Sequence, residues 1–336
     1  MQKFNKLTMK LLYYLVLSIW YTLSLLPLRV LYVVSDGIFL LLYHCVGYRK
    51  KVVRKNLTAS FPEKSEAELR QVERGFYHFL CDYFVETLKL RTMSEQQMRR
   101  RMVFRGVDAV NKCIDEGQSC AVYLGHYCNW EWITSLPLWV SAKGQCGQIY
   151  HPLENKEMDR LFLEQRERFG GVCIPMTETL RYLARLRAEK RPTIIGYIAD
   201  QVPFWRNMHH WRTFLSHPDT PVLSGSEAIA RRMDNAVFYL DVRRTRRGYY
   251  EAEFIPITRK PKEQPEFSIT DAYFDMLEKS IRRAPEFWLW SHNRWKRTKE
   301  EFLQRFYVVG TTIYEYQHRQ PKPDEQLIRP HGMSKG

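Results

Sequence analysis

Five short apolar runs constrain this fold most: AVYLG (121–125), GQIYH (147–151), GVCIP (171–175), PTIIGYIAD (192–200) and AVFYLDV (236–242). Each is too short for a buried helix, and the stretches between them carry helical patterns. Strands alternating with helices predict an α/β architecture, a mostly parallel sheet flanked by helices. The last run continues as AVFYLDVRRTRRGYYEAEFIPI (236–257), two strands joined by a polar turn at Arg246–Gly248. One side of the mixed sheet is therefore expected to be antiparallel.

Ahead of this body, Leu11 to Leu28 is a run of 18 residues without a charge. That is about the length needed to cross a bilayer core of roughly 30 Å at about 1.5 Å per residue. A second apolar stretch, Val30 to Tyr48, is broken only by Asp36 and His44; a second span, a re-entrant segment and an interfacial helix all remain open for it. Lys3, Lys6 and Lys10 would suit the basic leader of a cleaved signal, but the apolar core is too long. Leu26-Pro27-Leu28-Arg29 also offers no small-residue cleavage site. Residues 1–48 are therefore expected to be a retained membrane anchor. RKKVVRK (49–55) follows with five positive charges in seven residues, which places the domain behind it on the cytoplasmic side and suits phosphate head groups.

Ser65-Glu66-Ala67-Glu68 is a capping-box pattern, and apolar residues at 69, 72, 76, 79, 80, 83, 84 and 88 extend it into an amphipathic helix from about Ser65 to Leu90. No internal repeat or long linker divides residues 49–317, so they are expected to form one domain. The tail 318–336 is polar and proline-bearing, with the composition of a disordered segment.

Lysine plus arginine outnumber aspartate plus glutamate 52 to 37, a net charge of +15. That excess calls for an anionic partner, nucleic acid or a phosphate-rich membrane; the anchor favours the membrane, and no nucleic acid is expected. Seven cysteines show no C-x-x-C pair and no His-linked zinc spacing. They suit a reducing compartment without a structural metal.

The stretch AVYLGHYCNWEW (121–132) ends a strand in His126 and places Glu131 five positions on. On one continuous helix those side chains would lie about 140° apart, so a working pair needs a bend. Gly125 supplies one, and Asn129 is a good N-cap for a helix through WEWITSLPLWV. His126 then sits at the C-terminal edge of the sheet, where ligands bind in open α/β folds. Such a histidine can take a proton from an attacking hydroxyl, with Glu131 accepting from its other ring nitrogen. The bland alternative is a histidine bonded to a loop carbonyl and a glutamate favouring a helix dipole. Cys128 lies between them without local signs of a lowered pKa, and no G-x-S-x-G pattern is present. Direct transfer to an acceptor hydroxyl fits these residues better than a covalent enzyme intermediate.

Several blocks, in order, resemble the bacterial lipid A biosynthesis acyltransferases, the late lauroyl and myristoyl transferases: YRKKVVRKNLTASFPE (48–63), GHYCNWEW (125–132), RERFGG (166–171), ADQ (199–201) and PEFWLWSHNRWK (285–296). The resemblance runs from the anchor to about Tyr307. It implies a glycerolipid-acyltransferase-like fold at the cytoplasmic face of the bacterial inner membrane. It also implies transfer of a fatty acyl chain from acyl carrier protein to a hydroxyl of a phosphorylated lipid A precursor, without metal or cofactor. On that likeness His126 is the base and Glu131 its partner, while Arg168, Asp200, Gln201, Asn129 and Ser224 are substrate-binding candidates. Core packing explains Trp288, Trp290 and Trp295 more cheaply than ligand contact.

One block departs from the family. Where many members have Tyr-Arg-Pro-x-Lys-Asn, this chain reads Tyr150-His151-Pro152-Leu153-Glu154-Asn155, which weakens the expected grip on anionic groups. A lysophospholipid or acyl-amino-acid lipid is the alternative acceptor, although His-x4-Glu in place of His-x4-Asp favours a lipid A precursor. A membrane-tethered protein that binds anionic ligands without chemistry is the rival from another class, and it predicts no dependence on His126.

Overall fold

A computed structural model gives the fold and describes residues 2–334, with side chains described from Tyr13 onward. The side chains of Lys3, Lys6 and Lys10 in the basic leader and the last two residues of the tail lie outside what is described. A seven-stranded sheet forms the centre. Its strands are β1 (Met102–Arg105), β2 (Cys120–Leu124), β3 (Gln145–Tyr150), β4 (Val172–Pro175), β5 (Thr193–Ile198), β8 (Ala236–Arg246) and β9 (Tyr249–Thr258). They lie side by side in the order β1-β9-β8-β2-β5-β3-β4. All neighbours run parallel except β8 and β9. That hairpin turns at Arg247-Gly248, where Gly248 has φ 74°, so the antiparallel side lies where the sequence places it.

Every residue of β2 is buried, as both-face burial of a central parallel strand requires. One face carries α4 (Glu66–Leu90), α7 (Lys156–Glu167) and a 3₁₀ turn, Trp132–Leu138; the other carries α8 (Thr179–Ala188), α9 (Gly225–Met233) and α10 (Ser268–Arg283). Shorter helices α3 (Lys50–Ser60), α5 (Glu95–Arg101), α6 (Val107–Asp115) and α11 (Lys299–Arg305) complete the frame. The capping box at Ser65 is formed as its pattern predicts, with Ser65 and Glu68 exchanging side-chain-to-backbone hydrogen bonds.

The N-terminal apolar region divides differently from the sequence expectation. α1 (Gln2–Leu25) stops before Pro27, and α2 (Leu28–Leu40) runs on through a π turn, Leu41–Val46, closed by Gly47 at φ 65°. Among the described residues, the helical stretch long and apolar enough to cross a membrane is thus Leu28–Val46, while Tyr13–Leu25 of α1 is a shorter apolar helix. Proline cannot supply the amide that would carry one helix through Leu11–Leu28. α2 lies against the body: Tyr32 donates to Glu86 at 2.7 Å, Ser35 to Asp82 at 2.8 Å, and Arg247 to Asp36 at 2.6 Å.

Two smaller sheets flank the body. One is a ladder of β6 (His210–Phe214) with β7 (His217–Val222). The other comprises β10 (Phe306–Val309), β11 (Thr312–Glu315) and β12 (Leu327–Ile328), with β10 in the middle. Composition suggests a disordered tail over 318–336, but β12 pairs with β10, and the Trp211 N–H donates to the His331 carbonyl at 2.8 Å. A few ladder bonds and the buried Met333 hold a polar segment that has little apolar content of its own.

Candidate active site

Parallel register brings the central pair together. Leu124 of β2 lies beside Ile198 of β5; His126 and Asp200 each follow two residues later, so both emerge at the same C-terminal edge. His126 Nδ1 is 2.6 Å from Asp200 Oδ1, and the His126 backbone N–H donates to Oδ2 at 2.8 Å. The Trp288 indole donates to the same Oδ2 at 2.8 Å. Burial alone would push the Asp200 carboxyl up, but the charge and hydrogen bonds of His126 and the Trp288 bond outweigh it and hold it below its ordinary value. Asp200 is 2% exposed and the His126 side chain 20%, so the carboxylate is sealed in while the imidazole reaches solvent.

A carboxylate on Nδ1 fixes the proton there and leaves Nε2 with its lone pair. The side-chain nitrogen of Gln201 lies 3.3 Å from Nε2, a donor to that lone pair. The loop is pinned from behind by the segment 287–289: Cys128 N–H donates to the Phe287 carbonyl at 2.9 Å and Leu289 N–H to the His126 carbonyl at 3.1 Å. Cys128 sits at φ 54°, and burial raises its thiol well above the ordinary range, the opposite of a nucleophile. Gly125 is required by space, because a Cβ there would come within 2.6 Å of Leu277 and 3.3 Å of Asp200.

Glu131 does not meet His126, contrary to the sequence expectation. Its carboxylate receives two hydrogen bonds from Arg166, at 2.9 and 2.6 Å, and a longer one from Tyr83 at 3.4 Å. Burial works against the Arg166 charge, but the bonds and charge of Glu131 raise its pKa further still. The pair is bidentate, the fork geometry in which arginine–carboxylate contacts are strongest, with Glu131 nearly closed to water and Arg166 a quarter exposed. Trp130 fills the space between, packing edge-on to His126 at 5.2 Å and against Tyr83 at 4.2 Å.

Of the other expected residues, Gln201 reaches the site and three do not. Arg168 follows α7 and donates to the Leu90 carbonyl at the end of α4; Arg166, which sequence reasoning passes over, is the one that faces the cavity. Asn129 is fully buried, its amide donating to Glu86 at 2.7 Å while its oxygen accepts from the Trp132 N–H at 3.0 Å. That last bond ties Asn129 to the start of the helix, but the residue at the N-cap position is Glu131, and the helix is 3₁₀ and not α, with Pro137 inside it. Ser224 precedes α9 and makes no side-chain cap; its neighbours Leu223, Gly225 and Ser226 line the cavity in its place. Trp288 is buried in the core as packing expects, but its indole also holds the Asp200 carboxylate.

His126, Glu131, Arg166 and Gln201 open into a cavity of about 870 Å³, within the ~300–1,000 Å³ typical of ligand sites. Most of its wall is apolar, and its rim carries His151, His292, Lys296 and Arg297. The divergent block 150–155 supplies part of that rim: Tyr150, His151 and Leu153 border the cavity, and Asn155 caps α7 through the Met158 N–H at 3.0 Å. A half-buried histidine, a deep carboxylate, a paired arginine and a long apolar chamber suit proton transfer on a ligand with a hydrocarbon portion.

Residues 1–297 match the family described as bacterial lipid A biosynthesis acyltransferase. Similar curated proteins are the lipid A biosynthesis palmitoleoyltransferase of Escherichia coli (strain K12) and the lipid A biosynthesis acyltransferase of Shigella flexneri. Each is 24% identical over 253 residues, covering 74% of this chain and 79% of the relative. A match across so much of the chain, joined to the residues at this sheet edge, means that the chain belongs to the bacterial lipid A biosynthesis acyltransferase family and is an acyltransferase.

Proposed function

We propose that the protein moves a fatty acyl group from an acyl carrier protein thioester to a hydroxyl of a phosphorylated lipid A precursor, with His126 as general base. The observation that carries this reading is the Asp200 contact on Nδ1, which turns Nε2 toward the apolar cavity with the Gln201 amide 3.3 Å away as the group a substrate hydroxyl would displace. Nε2 takes the proton of the acceptor hydroxyl as its oxygen attacks the thioester carbonyl. The carbon–sulfur bond then breaks, and the imidazolium returns the proton to the departing thiolate. Asp200 stabilises the imidazolium, the role that spacing alone assigns to Glu131. Glu131 holds Arg166 at the cavity wall, where its guanidinium suits an anionic substrate group or the developing oxyanion.

The reading places the enzyme at the cytoplasmic face of the inner membrane. Its support is the outer side of α1, α2 and the π turn, where Tyr14, Leu15, Ile19, Val33, Leu41 and Val46 are each at least half exposed, next to the basic run 49–55. The +15 charge suits both an acidic carrier protein and a phosphorylated acceptor. Purified protein in detergent should transfer radiolabelled acyl groups from acyl carrier protein to a phosphorylated disaccharide lipid. His126→Ala should lose at least about a hundredfold in rate, the lower end of a general base's contribution, while remaining folded. Lysophospholipid and acyl-amino-acid acceptors run in parallel identify the acceptor class. Undiminished transfer by the variant would remove His126 from the chemistry.

A further inference from the structure

The cavity wraps around the sheet edge and has walls on both sheet faces. Register assigns them: Val122, Gly196 and Gln148 lie side by side on β2, β5 and β3, so they share a face, as do residues two positions away along each strand. That first arm is covered by the 3₁₀ turn through Leu136 and Pro137 and floored by Val122, Leu124 and Ile194. The second arm, on the opposite face, contains the hydroxyls of Tyr197 and Ser226, which are buried without partners. The polar group beside Gly196 in the first arm, the Gln148 amide, already donates to Cys173 Sγ at 2.9 Å, so a plain hydrocarbon fits there; the second arm suits a ligand that brings its own polar group.

Gly196 stands in the middle of the first arm's floor. It sits in β5, inside an extended parallel strand where no left-handed φ is needed, so backbone conformation does not account for it. A Cβ there would meet Leu124 at 3.7 Å and the Gly147 carbonyl at 3.8 Å, ordinary contacts. Gly147 differs: its Cβ would press on Val172 at 3.0 Å and Ile195 at 3.2 Å, so close packing explains it. A Cβ at 196 would fit in ordinary contact, so neither backbone conformation nor close packing demands glycine there, and a glycine of that kind inside a strand that lines a cavity marks a surface that a ligand approaches.

We infer that Gly196 sets the length of the acyl chain that the first arm accepts. This rests on the acyl-transfer reading above. Gly196 aligns with Val122, four residues before His126, about 13 Å along the strand at ~3.3 Å per residue. The arm continues to Ile194 and Cys146, which are in register with each other, about 20 Å from the His126 level by the same rise. A side chain at 196 closes the arm partway, so a short acyl chain still reaches the catalytic edge and a long one does not.

The experiment compares wild type, Gly196→Ala and Gly196→Val in two measurements. One is direct binding of decanoate, laurate, myristate and palmitate to the purified protein, read by native mass spectrometry. The other is transfer from the corresponding acyl carrier protein thioesters. The valine variant should lose at least about tenfold in its preference for the longest chain over the shortest, in both, with alanine between. Because valine suits a strand, the variant should keep the wild-type melting temperature; should it not, Val122→Phe narrows the same stretch from the neighbouring strand. An unchanged chain-length ratio in a folded variant overturns the inference, as does a changed preference among acceptors with the donor ratio constant. Binding that follows the prediction while wild type transfers nothing would sink the acyl-transfer reading and leave the length-setting role standing.

Discussion

At His126 the nearest carboxylate in sequence is not the nearest in space. Glu131 is five residues away and pairs with Arg166; Asp200 is 74 residues away and binds the ring. The residue types are readable from the chain, and so is the shared sheet edge of His126 and Asp200. The contact itself depends on β2 and β5 being neighbours in a particular register, which composition and periodicity do not encode. Arg166 escapes sequence reasoning for a similar reason: two positions on a helix turn the side chain by about 200°, so choosing Arg168 from the same block chooses the wrong side. Asp200→Asn should lower kcat by about a hundredfold or more, since an amide can present N–H to Nδ1 and force the proton onto Nε2. Glu131→Gln and Arg166→Met should behave as one unit instead, the double variant losing little beyond either single variant. Steady-state kinetics on the four proteins check this, and additive losses for Glu131 and Arg166 would separate their roles.

Among elements, those with strong periodicity are the ones legible in advance: the five central strands, the β8–β9 hairpin and the helix after Ser65. β7 is hidden because Pro218 and Pro221 lie within it, and proline argues against a strand except at an edge. β6 and β7 form a separate two-stranded ladder, where that objection does not apply. The hairpin does more than close the sheet, since its basic turn grips the apolar N-terminal region. Asp82 of α4 is fully buried and accepts from Arg244 at 2.8 Å, from Arg247 at 2.6 Å and from Ser35 at 2.8 Å. Gly248 belongs to the same contact, as a Cβ there would collide with the Tyr32 hydroxyl. Removing one partner of a buried ion pair typically costs about 3–5 kcal/mol, so Asp82→Ala should lower unfolding free energy by that order in urea denaturation. It should also speed proteolysis near Pro27–Arg29 as α2 loosens. A variant with wild-type stability would mean that apolar packing and the Tyr32–Glu86 and Arg247–Asp36 contacts dock α2 without Asp82.

Across the whole molecule, the basic helix that follows the apolar region is wired to the active site. Arg49 donates to the Ser291 carbonyl at 2.8 Å, and Asn56 of α3 donates to the carbonyls of Trp290 and His292 at 2.9 Å. That segment also carries Trp288, which holds Asp200. Two half-buried histidines lie in the same region: His217 stacks on Trp295 with centroids 3.7 Å apart and lies 3.1 Å from the Ser60 hydroxyl, and His292 borders the cavity. Burial, then the charge of Arg294, pushes both down to about 4. In the unfolded chain they titrate near 6.5, so between about 6.5 and 4 the unfolded state binds protons that the folded state refuses. The stability these neutral rings contribute is therefore complete above the unfolded value and is lost as pH falls toward the folded one. Each histidine adds a slope of up to about 1.4 kcal/mol per pH unit in that window. Urea denaturation across the window should show this loss in the wild type and a flatter profile in a His217→Gln/His292→Gln double variant. If the double variant keeps the full slope, acid sensitivity arises elsewhere in the fold, and the join between α3 and the active-site segment is not its origin.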